Sequence, residues 1–181
     1  GEIQITLPES LDRIDAIQNE LISRNNRTEG ILYIEITRGV AERDFVFPAE
    51  TQPTLVMFIQ PKDIINSPAV KTGIAVKSVP DIRWGRRDIK SVGLLAQALE
   101  KQTAAEAGAA EAWMIEDGKV TEGASSSAFI LTQDDVIVTR QNGSEILPGC
   151  TRKAVVKLAE EHQLRVEERA WAPTRSAGRA G

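Results

Sequence analysis

The sequence predicts an α/β (α+β) fold in two unequal parts. Helix-spaced apolar residues alternate along the chain with short runs rich in β-branched residues, which is the pattern of mixed helices and sheets. Residues 61–69 carry two prolines and no clear periodicity, so they separate a smaller first part from a larger second part. With 181 residues, of which 41% are hydrophobic, the chain can bury a core as one domain or as two small ones.

The first part is predicted to hold one helix and two strands. Its amphipathic helix is marked by apolar residues at helical spacing, namely Leu11, Ile14, Ile17, Leu21 and Ile22. After a polar cluster at residues 24–30, the runs 31–37 and 54–59 are typical of β-strands. Between them, Arg38 to Pro53 form a loop that is long for a compact domain. Because such loops are often functional, this one is a candidate binding element.

The second part is predicted to be richer in strands. Its strand-like runs lie at residues 73–79, 112–116, 120 onward, 128–131 and 136–139. The dipeptide Asp117-Gly118 is a strong tight-turn signal, so it predicts a hairpin between the second and third of these runs.

Two helices are predicted among those strands. An alanine-rich helix follows Lys90, with an apolar face from Val92 to Ala104 and an end near Gly108. The last clear element is a helix from Thr151 to about Glu161, preceded by Pro148-Gly149-Cys150. A glycine and a threonine at a helix start offer free amides and a hydroxyl, so this helix is expected to bind an anion.

Composition excludes several classes of function. The formal net charge is -4 and the basic residues are scattered, which argues against a nucleic-acid partner. Apolar runs are too short for a membrane span. One cysteine, Cys150, allows no internal disulfide, so a reducing, cytoplasmic location is expected. Because the chain has one cysteine and one histidine, neither a metal site nor a Cys/His nucleophile pair is expected.

Three motifs supply residue types that work together on an aldehyde cofactor carrying a phosphate. Lys90 offers an amine, which needs desolvation or neighbouring positive charge to act as a nucleophile, and Arg86 and Arg87 stand close in sequence. Glu122 offers a carboxylate that can keep a ring nitrogen protonated, so that the ring accepts electrons. The helix start near Thr151 offers an anion site. This combination points to pyridoxal phosphate chemistry.

In their order and spacing, these motifs resemble the class IV (fold type IV) pyridoxal-phosphate aminotransferases. The resemblance rests on Asp88-Ile89-Lys90-Ser91, Thr121-Glu122-Gly123 and Leu147-Pro148-Gly149-Cys150-Thr151-Arg152. It implies a two-domain fold whose limits in this chain are expected at 1–60 for part of a small α/β sandwich domain, 61–69 for a linker, and 70–169 for part of a larger, β-barrel-like cofactor domain. Residues 170–181, which are small, basic and aperiodic, are expected to be an atypical tail.

The resemblance also implies roles for individual residues. Lys90 is implied to bind the cofactor covalently and to move a proton between the substrate Cα and the cofactor C4′, and Glu122 is implied to pair with the pyridinium nitrogen. The other implied cofactor contacts are Ser125 and Ser126, Leu147 on the ring, and Cys150 and Thr151 on the phosphate.

Residues 37–44 look most like the substrate loop of the D-amino-acid aminotransferases. Arg43 matches the position that binds the substrate carboxylate in those enzymes and reaches the active site of a partner subunit, so a homodimer is implied for the full-length form. Phe45 stands where those enzymes often have a histidine, which removes a hydrogen-bond donor. The implied reaction is transfer of an amino group from a D-amino acid such as D-alanine to a 2-oxo acid.

Alternatives remain open at this point. Branched-chain aminotransferase and aminodeoxychorismate lyase belong to the same family. Compared with that family, the chain is expected to be truncated at both ends, and an inactive fragment is an alternative of another kind. Taken alone, Glu122 is compatible with a simple turn acid, and Arg43 beside Glu42 and Asp44 with a solvated ion cluster of small energetic value.

Overall fold

The computed structural model describes residues 2–173 and divides the chain into two compact units, Gly1–Gly73 and Ile74–Gly181. Both units combine helices and strands, and the α/β class is confirmed. The domain limits remain predictions, since the division after Gly73 follows the expected linker at 61–69 without testing its role. Residues 174–181 of the expected tail lie outside the described residues.

The first unit packs a helix on a two-stranded sheet. Helix α1 is Leu11–Asn25, strands β1 and β2 are Ile31–Thr37 and Thr54–Gln60, and a short helix α2 is Pro68–Thr72. The two strands are antiparallel, and α1 contacts β2. The helix and both strands were predicted. Helix α2 was not, because five residues are too few to show helical periodicity.

The ends of α1 follow the usual rules of helix capping. Ser10 precedes the helix, and its hydroxyl accepts a hydrogen bond from the Arg13 amide at 3.2 Å, which satisfies one of the free first-turn donors. Asn26 ends the helix in the left-handed conformation, with φ of 50°.

In the second unit, a three-stranded sheet carries the middle motif. Its elements are β3 Val76–Pro80, α3 Leu95–Glu106, β4 Glu111–Glu116 and β5 Lys119–Gly123. Strands β3 and β4 are parallel, with α3 in the connection between them, and β4 and β5 form an antiparallel hairpin. Asp117 and Gly118 both have positive φ, 50° and 71°, as a tight two-residue hairpin turn requires. The predicted hairpin is therefore confirmed.

A second three-stranded sheet leads to the last motif. Its elements are β6 Phe129–Leu131, β7 Val136–Thr139, α4 Cys150–Glu161 and β8 Arg165–Glu168. Strand β7 pairs antiparallel with β6 and parallel with β8, and α4 lies in the connection between β7 and β8. Sequence analysis missed β8, because three of its four residues are charged and only its pairing with β7 makes it a strand.

Trp171 lies in the core of the second unit, although sequence analysis put it in the expected tail. Its side chain is 4% exposed and packs in one cluster with Val120 and Val138. The Trp171 and Trp113 rings meet edge to face with centroids 5.1 Å apart, and the Val120 amide donates to the Trp171 carbonyl at 2.9 Å. The beginning of this segment is therefore part of the fold.

Within residues 2–173, no helix combines the length and apolar character that crossing a lipid bilayer requires.

Truncation of Trp171 tests its place in the core. We expect Trp171→Ala to lower the free energy of unfolding by about 3–5 kcal/mol, because it leaves a cavity against Trp113. Urea unfolding followed by circular dichroism measures the change. Trp84→Ala is the control, since Trp84 is 56% exposed. Equal effects of the two substitutions would contradict the assignment of Trp171 to the core.

Candidate active site

Lys90 lies on the segment that joins β3 to α3. A turn precedes it, in which the Ile89 amide donates to the Arg86 carbonyl at 3.2 Å and the Arg86 guanidinium pairs with Asp88 at 2.9 Å. The Lys90 side chain is exposed and forms no hydrogen bond or ion pair with any described residue. Its amine is therefore accessible from solvent, whereas sequence analysis expected desolvation or neighbouring positive charge, and the nearby Arg86 and Arg87 are paired with Asp88 and Glu116.

Glu122 is a buried carboxylate on β5, with 7% of the residue exposed. Its Oε1 accepts from the Arg83 guanidinium and from the Leu147 amide, the latter at 3.1 Å. Within residues 2–173, its Oε2 accepts only a longer bond, 3.3 Å, from the same Leu147 amide. One carboxylate oxygen thus keeps capacity for another donor, because each oxygen can accept two hydrogen bonds.

Arg83 lies between two buried carboxylates. Its Nη2 is 2.7 Å from Asp81 Oδ2, and its Nη1 pairs with Glu122. The Asp81 side chain is completely buried and also accepts from the Thr121 hydroxyl at 2.7 Å. Arg83 therefore pairs with both carboxylates, and Arg87 Nη1 lies 3.6 Å from Asp81 Oδ2 as a second cation.

Sequence analysis missed this pair, although a signal was present. Asp81 and Arg83 directly follow β3, two residues apart, and side chains at that spacing lie on the same side of an extended chain. What the spacing does not give is the third partner, because Glu122 reaches Arg83 from another strand of the sheet.

Burial and Arg83 act in opposite directions on the Glu122 carboxyl. Burial raises the pKa of Glu122, and the hydrogen bonds from Arg83 and from the Leu147 amide offset only part of that rise. For Asp81, burial also raises the pKa, but Arg83 and the Thr121 hydroxyl outweigh it, so the pKa lies below its ordinary value. The network therefore holds Asp81 as an anion and leaves Glu122 the more readily protonated of the two.

The serine segment after Glu122 folds into a tight turn. The Gly123 amide donates to the Ser126 carbonyl at 2.7 Å. The hydroxyls of Ser125 and Ser126 donate to one oxygen of the Glu111 carboxylate, at 2.8 and 2.9 Å. Both predicted cofactor contacts are thus bonded to another side chain in this structure.

The start of α4 lies next to Glu122 through the backbone of Leu147. The Leu147 amide donates to the Glu122 carboxylate, and the Leu147 carbonyl accepts from the Gly149 amide at 2.8 Å. Gly149 precedes the helix and provides no side-chain cap, so the first-turn amides of Cys150 and Thr151 have no acceptor within their helix. Both residues are exposed, and the positive end of the helix favours an anion there.

Ser127 is a further residue that sequence analysis missed. A Cβ on Gly149 would lie 3.6 Å from the Ser127 hydroxyl oxygen, so this hydroxyl lies beside the start of α4. Only the folded chain distinguishes Ser127 from Ser125 and Ser126, since all three belong to one run of serines.

Arg43 lies in the first unit, on the predicted loop between β1 and β2. It is exposed, and its guanidinium lies 5.6 Å from the centre of the Phe45 ring. Arg38, at the start of the same loop, stacks on Phe47 at 3.7 Å and donates to the backbone carbonyls of Ile3 and Gln4. The second unit brings Glu122, Leu147 and the α4 start together, whereas Lys90 forms no hydrogen bond or ion pair with them within residues 74–173.

A family model described as amino-transferase class IV matches residues 2–176. The chain belongs to the class IV aminotransferase family. The match extends past Trp171, which agrees with the burial of that residue in the core.

Curated relatives carry the name D-alanine aminotransferase. The protein of that name from Bacillus licheniformis is 39% identical over 172 residues, which are 94% of this chain and 59% of the relative. The one from Staphylococcus aureus (strain MSSA476) is 36% identical over 169 residues, again 59% of its length. This class IV aminotransferase chain therefore spans a little more than half the length of the relatives it matches.

Solved structures show the same fold. A branched-chain amino acid aminotransferase from Escherichia coli superimposes with a TM-score of 0.84 at 23% identity, over 94% of this chain and 58% of that one. A putative 4-amino-4-deoxychorismate lyase from Legionella pneumophila gives 0.80 at 22% identity, over 96% of this chain and 64% of that one. At such identities the likeness shows the fold alone.

Pyridoxal phosphate is the cofactor of this family, and the second unit fits it on three counts. Lys90 offers an amine that has no partner in the described part of the chain, Glu122 Oε2 has spare acceptor capacity for a ring N–H, and the α4 start offers amides to a phosphate. The residues present are therefore compatible with the group.

Loss of Arg83 tests the electrostatic network. We expect Arg83→Met to lower the free energy of unfolding at pH 7 by about 3–5 kcal/mol, because Asp81 and Glu122 lose their shared cation. The carboxyl pKa values of Asp81 and Glu122 in the folded state then rise. Their burial therefore costs stability at pH 7, where they are ionised, and costs less at low pH, where they are protonated in both the folded and the unfolded state. The deficit should shrink as the pH falls towards 4, as urea unfolding at several pH values would measure.

Arg165→Met provides the matched control, because the Arg165 side chain is 71% exposed. It should leave the stability unchanged at every pH. A deficit for Arg83→Met that did not depend on pH would contradict the electrostatic explanation and favour lost packing instead.

Proposed function

We propose that this chain is part of a pyridoxal-phosphate enzyme that transfers an amino group between a D-amino acid such as D-alanine and a 2-oxo acid. The observation that carries the proposal is the buried Glu122 carboxylate, whose second oxygen remains open to a donor while Leu147 ties it to the start of α4. The D-alanine aminotransferases, at 34 to 39% identity, favour this substrate class over the other family reactions.

Each predicted site residue has a function in this proposal. When bound, pyridoxal phosphate draws electrons from the substrate Cα into its ring, which makes the Cα proton acidic. Lys90 holds the cofactor and carries the proton to and from Cα. Glu122 Oε2 accepts the ring N–H, Leu147 packs against the ring, and the amides of Cys150 and Thr151 bind the phosphate. Ser125 and Ser126 border the cofactor.

The Arg83 contact fits this function, because it favours the carboxylate form of Glu122. Burial raises the pKa of the Glu122 carboxyl, whereas the hydrogen bond and charge of Arg83 lower it, so Arg83 acts against the protonation that burial favours. A protonated ring would be a second positive partner and would further favour the carboxylate, so that the two form an ion pair.

Arg43 is proposed to bind the substrate carboxylate from a partner subunit. Its exposed guanidinium has the charge that a carboxylate needs, and bidentate recognition suits arginine. Val40 and Phe45 on the same loop are 95% and 91% exposed, and in the second unit Val92 and Leu95 are 71% and 74% exposed. Apolar side chains exposed to this degree support a homodimer in the full-length form. We also propose a cytoplasmic location, in keeping with the single cysteine.

Cofactor attachment is the first test. The purified chain is incubated with pyridoxal phosphate, reduced with borohydride and analysed by peptide mass spectrometry. We expect a stoichiometric pyridoxyl group on Lys90, its loss in Lys90→Ala, and no change in Lys157→Ala, whose side chain is 73% exposed on α4. Labelling spread over many lysines, or none at all, would mean that this chain does not assemble the site and behaves as an inactive fragment.

Turnover separates the reactions of the family. With 2-oxoglutarate as acceptor, D-alanine should be consumed faster than L-alanine or L-leucine, and Glu122→Gln should lower the rate by about 10²-fold or more. Preference for L-leucine would favour a branched-chain aminotransferase. Release of pyruvate from aminodeoxychorismate without amino transfer would favour the lyase.

A further inference from the structure

We propose that Glu111 is a positioning residue, whose buried carboxylate holds Ser125 and Ser126 so that neither hydroxyl donates a hydrogen bond to the cofactor phosphate. The inference rests on the proposed function and deepens it, because it assigns Glu111 as the hydrogen-bond acceptor of Ser125 and Ser126, two of the predicted cofactor contacts. It places the phosphate contacts on the backbone amides of α4 and not on these two hydroxyls.

The Glu111 carboxylate has a complete set of donors. Residue Glu111 is the first of β4 and is 5% exposed. Its Oε2 accepts from the hydroxyls of Ser125 and Ser126 at 2.8 and 2.9 Å. Its Oε1 accepts from the Ala112 amide at 2.8 Å and lies 3.0 Å from Lys101 Nζ. Two carboxylate oxygens accept about four hydrogen bonds, so this carboxylate is saturated.

The Ser125 and Ser126 hydroxyls have no further hydrogen to donate. A hydroxyl has one hydrogen to donate, and in both serines that hydrogen points to Glu111. Lys101 Nζ also donates to the Ser125 oxygen, at 3.1 Å. Turning either hydroxyl towards a phosphate would remove a charge-assisted hydrogen bond from a buried anion. Each serine therefore presents oxygen lone pairs and backbone to its surroundings.

The turn at Gly123 connects this cluster to Glu122. A Cβ at Gly123 would lie 2.2 Å from the Ser126 hydroxyl oxygen and 3.4 Å from the Glu111 carboxyl carbon, so only glycine fits. The Gly123 amide is bonded to the Ser126 carbonyl, and the Ala124 amide to the Ala112 carbonyl at 2.9 Å. Glu111 thus fixes the segment that directly follows the Glu122 carboxylate.

The charge on Glu111 agrees with this arrangement. Burial raises the pKa of the Glu111 carboxyl, but Lys101, the Ala112 amide and the two serines outweigh it, so the pKa lies below the ordinary value of 4.5. A lowered carboxyl pKa gives stability that is present above 4.5 and is lost as the pH falls through the lowered value. Glu111 is therefore an anion at neutral pH.

The decisive variant is Glu111→Gln, which keeps the size of the side chain but removes its charge and one acceptor oxygen. Two measurements apply: amide hydrogen exchange of residues 123–127 in the cofactor-free chain, and the Kd for pyridoxal phosphate from fluorescence titration. We expect exchange to become about tenfold faster and the Kd to rise about tenfold. Glu160→Gln, on the exposed surface of α4, should change neither.

The variant Ser125→Ala/Ser126→Ala tests the direction of the hydroxyls. Because they donate to Glu111, we expect faster exchange of residues 123–127 and a smaller change in Kd than for Glu111→Gln. The proposal is overturned if the serine variant loses more affinity for pyridoxal phosphate than Glu111→Gln, since the hydroxyls would then be phosphate donors. It is also overturned if Glu111→Gln exchanges like the unaltered chain.

Failure of the proposed function gives a different result. If the unaltered chain does not bind pyridoxal phosphate, the proposed function fails, while exchange in the cofactor-free chain still decides whether Glu111 fixes the segment. If Glu111→Gln unfolds, Lys101→Met is the second variant, because it removes one donor from Glu111 at a site that is 41% exposed. It should speed exchange of residues 123–127, and unchanged exchange would count against the proposal.

Discussion

The ion pair network around Arg83 is the constraint on which the candidate site depends. Glu122 is buried, and a buried carboxylate without a cation is costly. Arg83 supplies that cation, and the completely buried Asp81 holds the guanidinium in place. Because Arg83 Nη1 contacts one oxygen of Glu122, the other oxygen remains available to a further hydrogen-bond donor. The contact between Arg83 and Glu122 therefore compensates the buried charge and leaves one carboxylate oxygen free to accept from a ligand.

Backbone contacts transmit this position to the rest of the site. Leu147 bonds through its amide to Glu122 and through its carbonyl to Gly149, directly before α4. On the other side of Glu122, the turn at Gly123 leads to serines that Glu111 holds. Carboxylate, helix start and serine segment are thus fixed by hydrogen bonds within one unit. Preorganisation of this kind reduces what must be ordered when a ligand binds.

Much of the fold and part of the site could be predicted from the sequence. Helix α1, both strands of the first unit and the Asp117-Gly118 hairpin follow local rules of periodicity and turn chemistry, which the structure obeys. Strand β8 and the burial of Trp171 were not predicted, because a charged strand and an aperiodic segment give no local sequence signal. Their places are set by hydrogen bonds to β7 and β5, far away in the chain.

By itself, the sequence determined the family and the residue types of the site, because Lys90, Glu122 and the Gly149-Cys150-Thr151 helix start belong to short motifs whose order is visible along the chain. Only the tertiary structure decided which groups hold them. Arg83 meets Glu122, and Glu111 meets Ser125, across neighbouring segments of the fold. A motif records chemistry that is local, whereas the partner of a buried charge depends on which strands lie side by side.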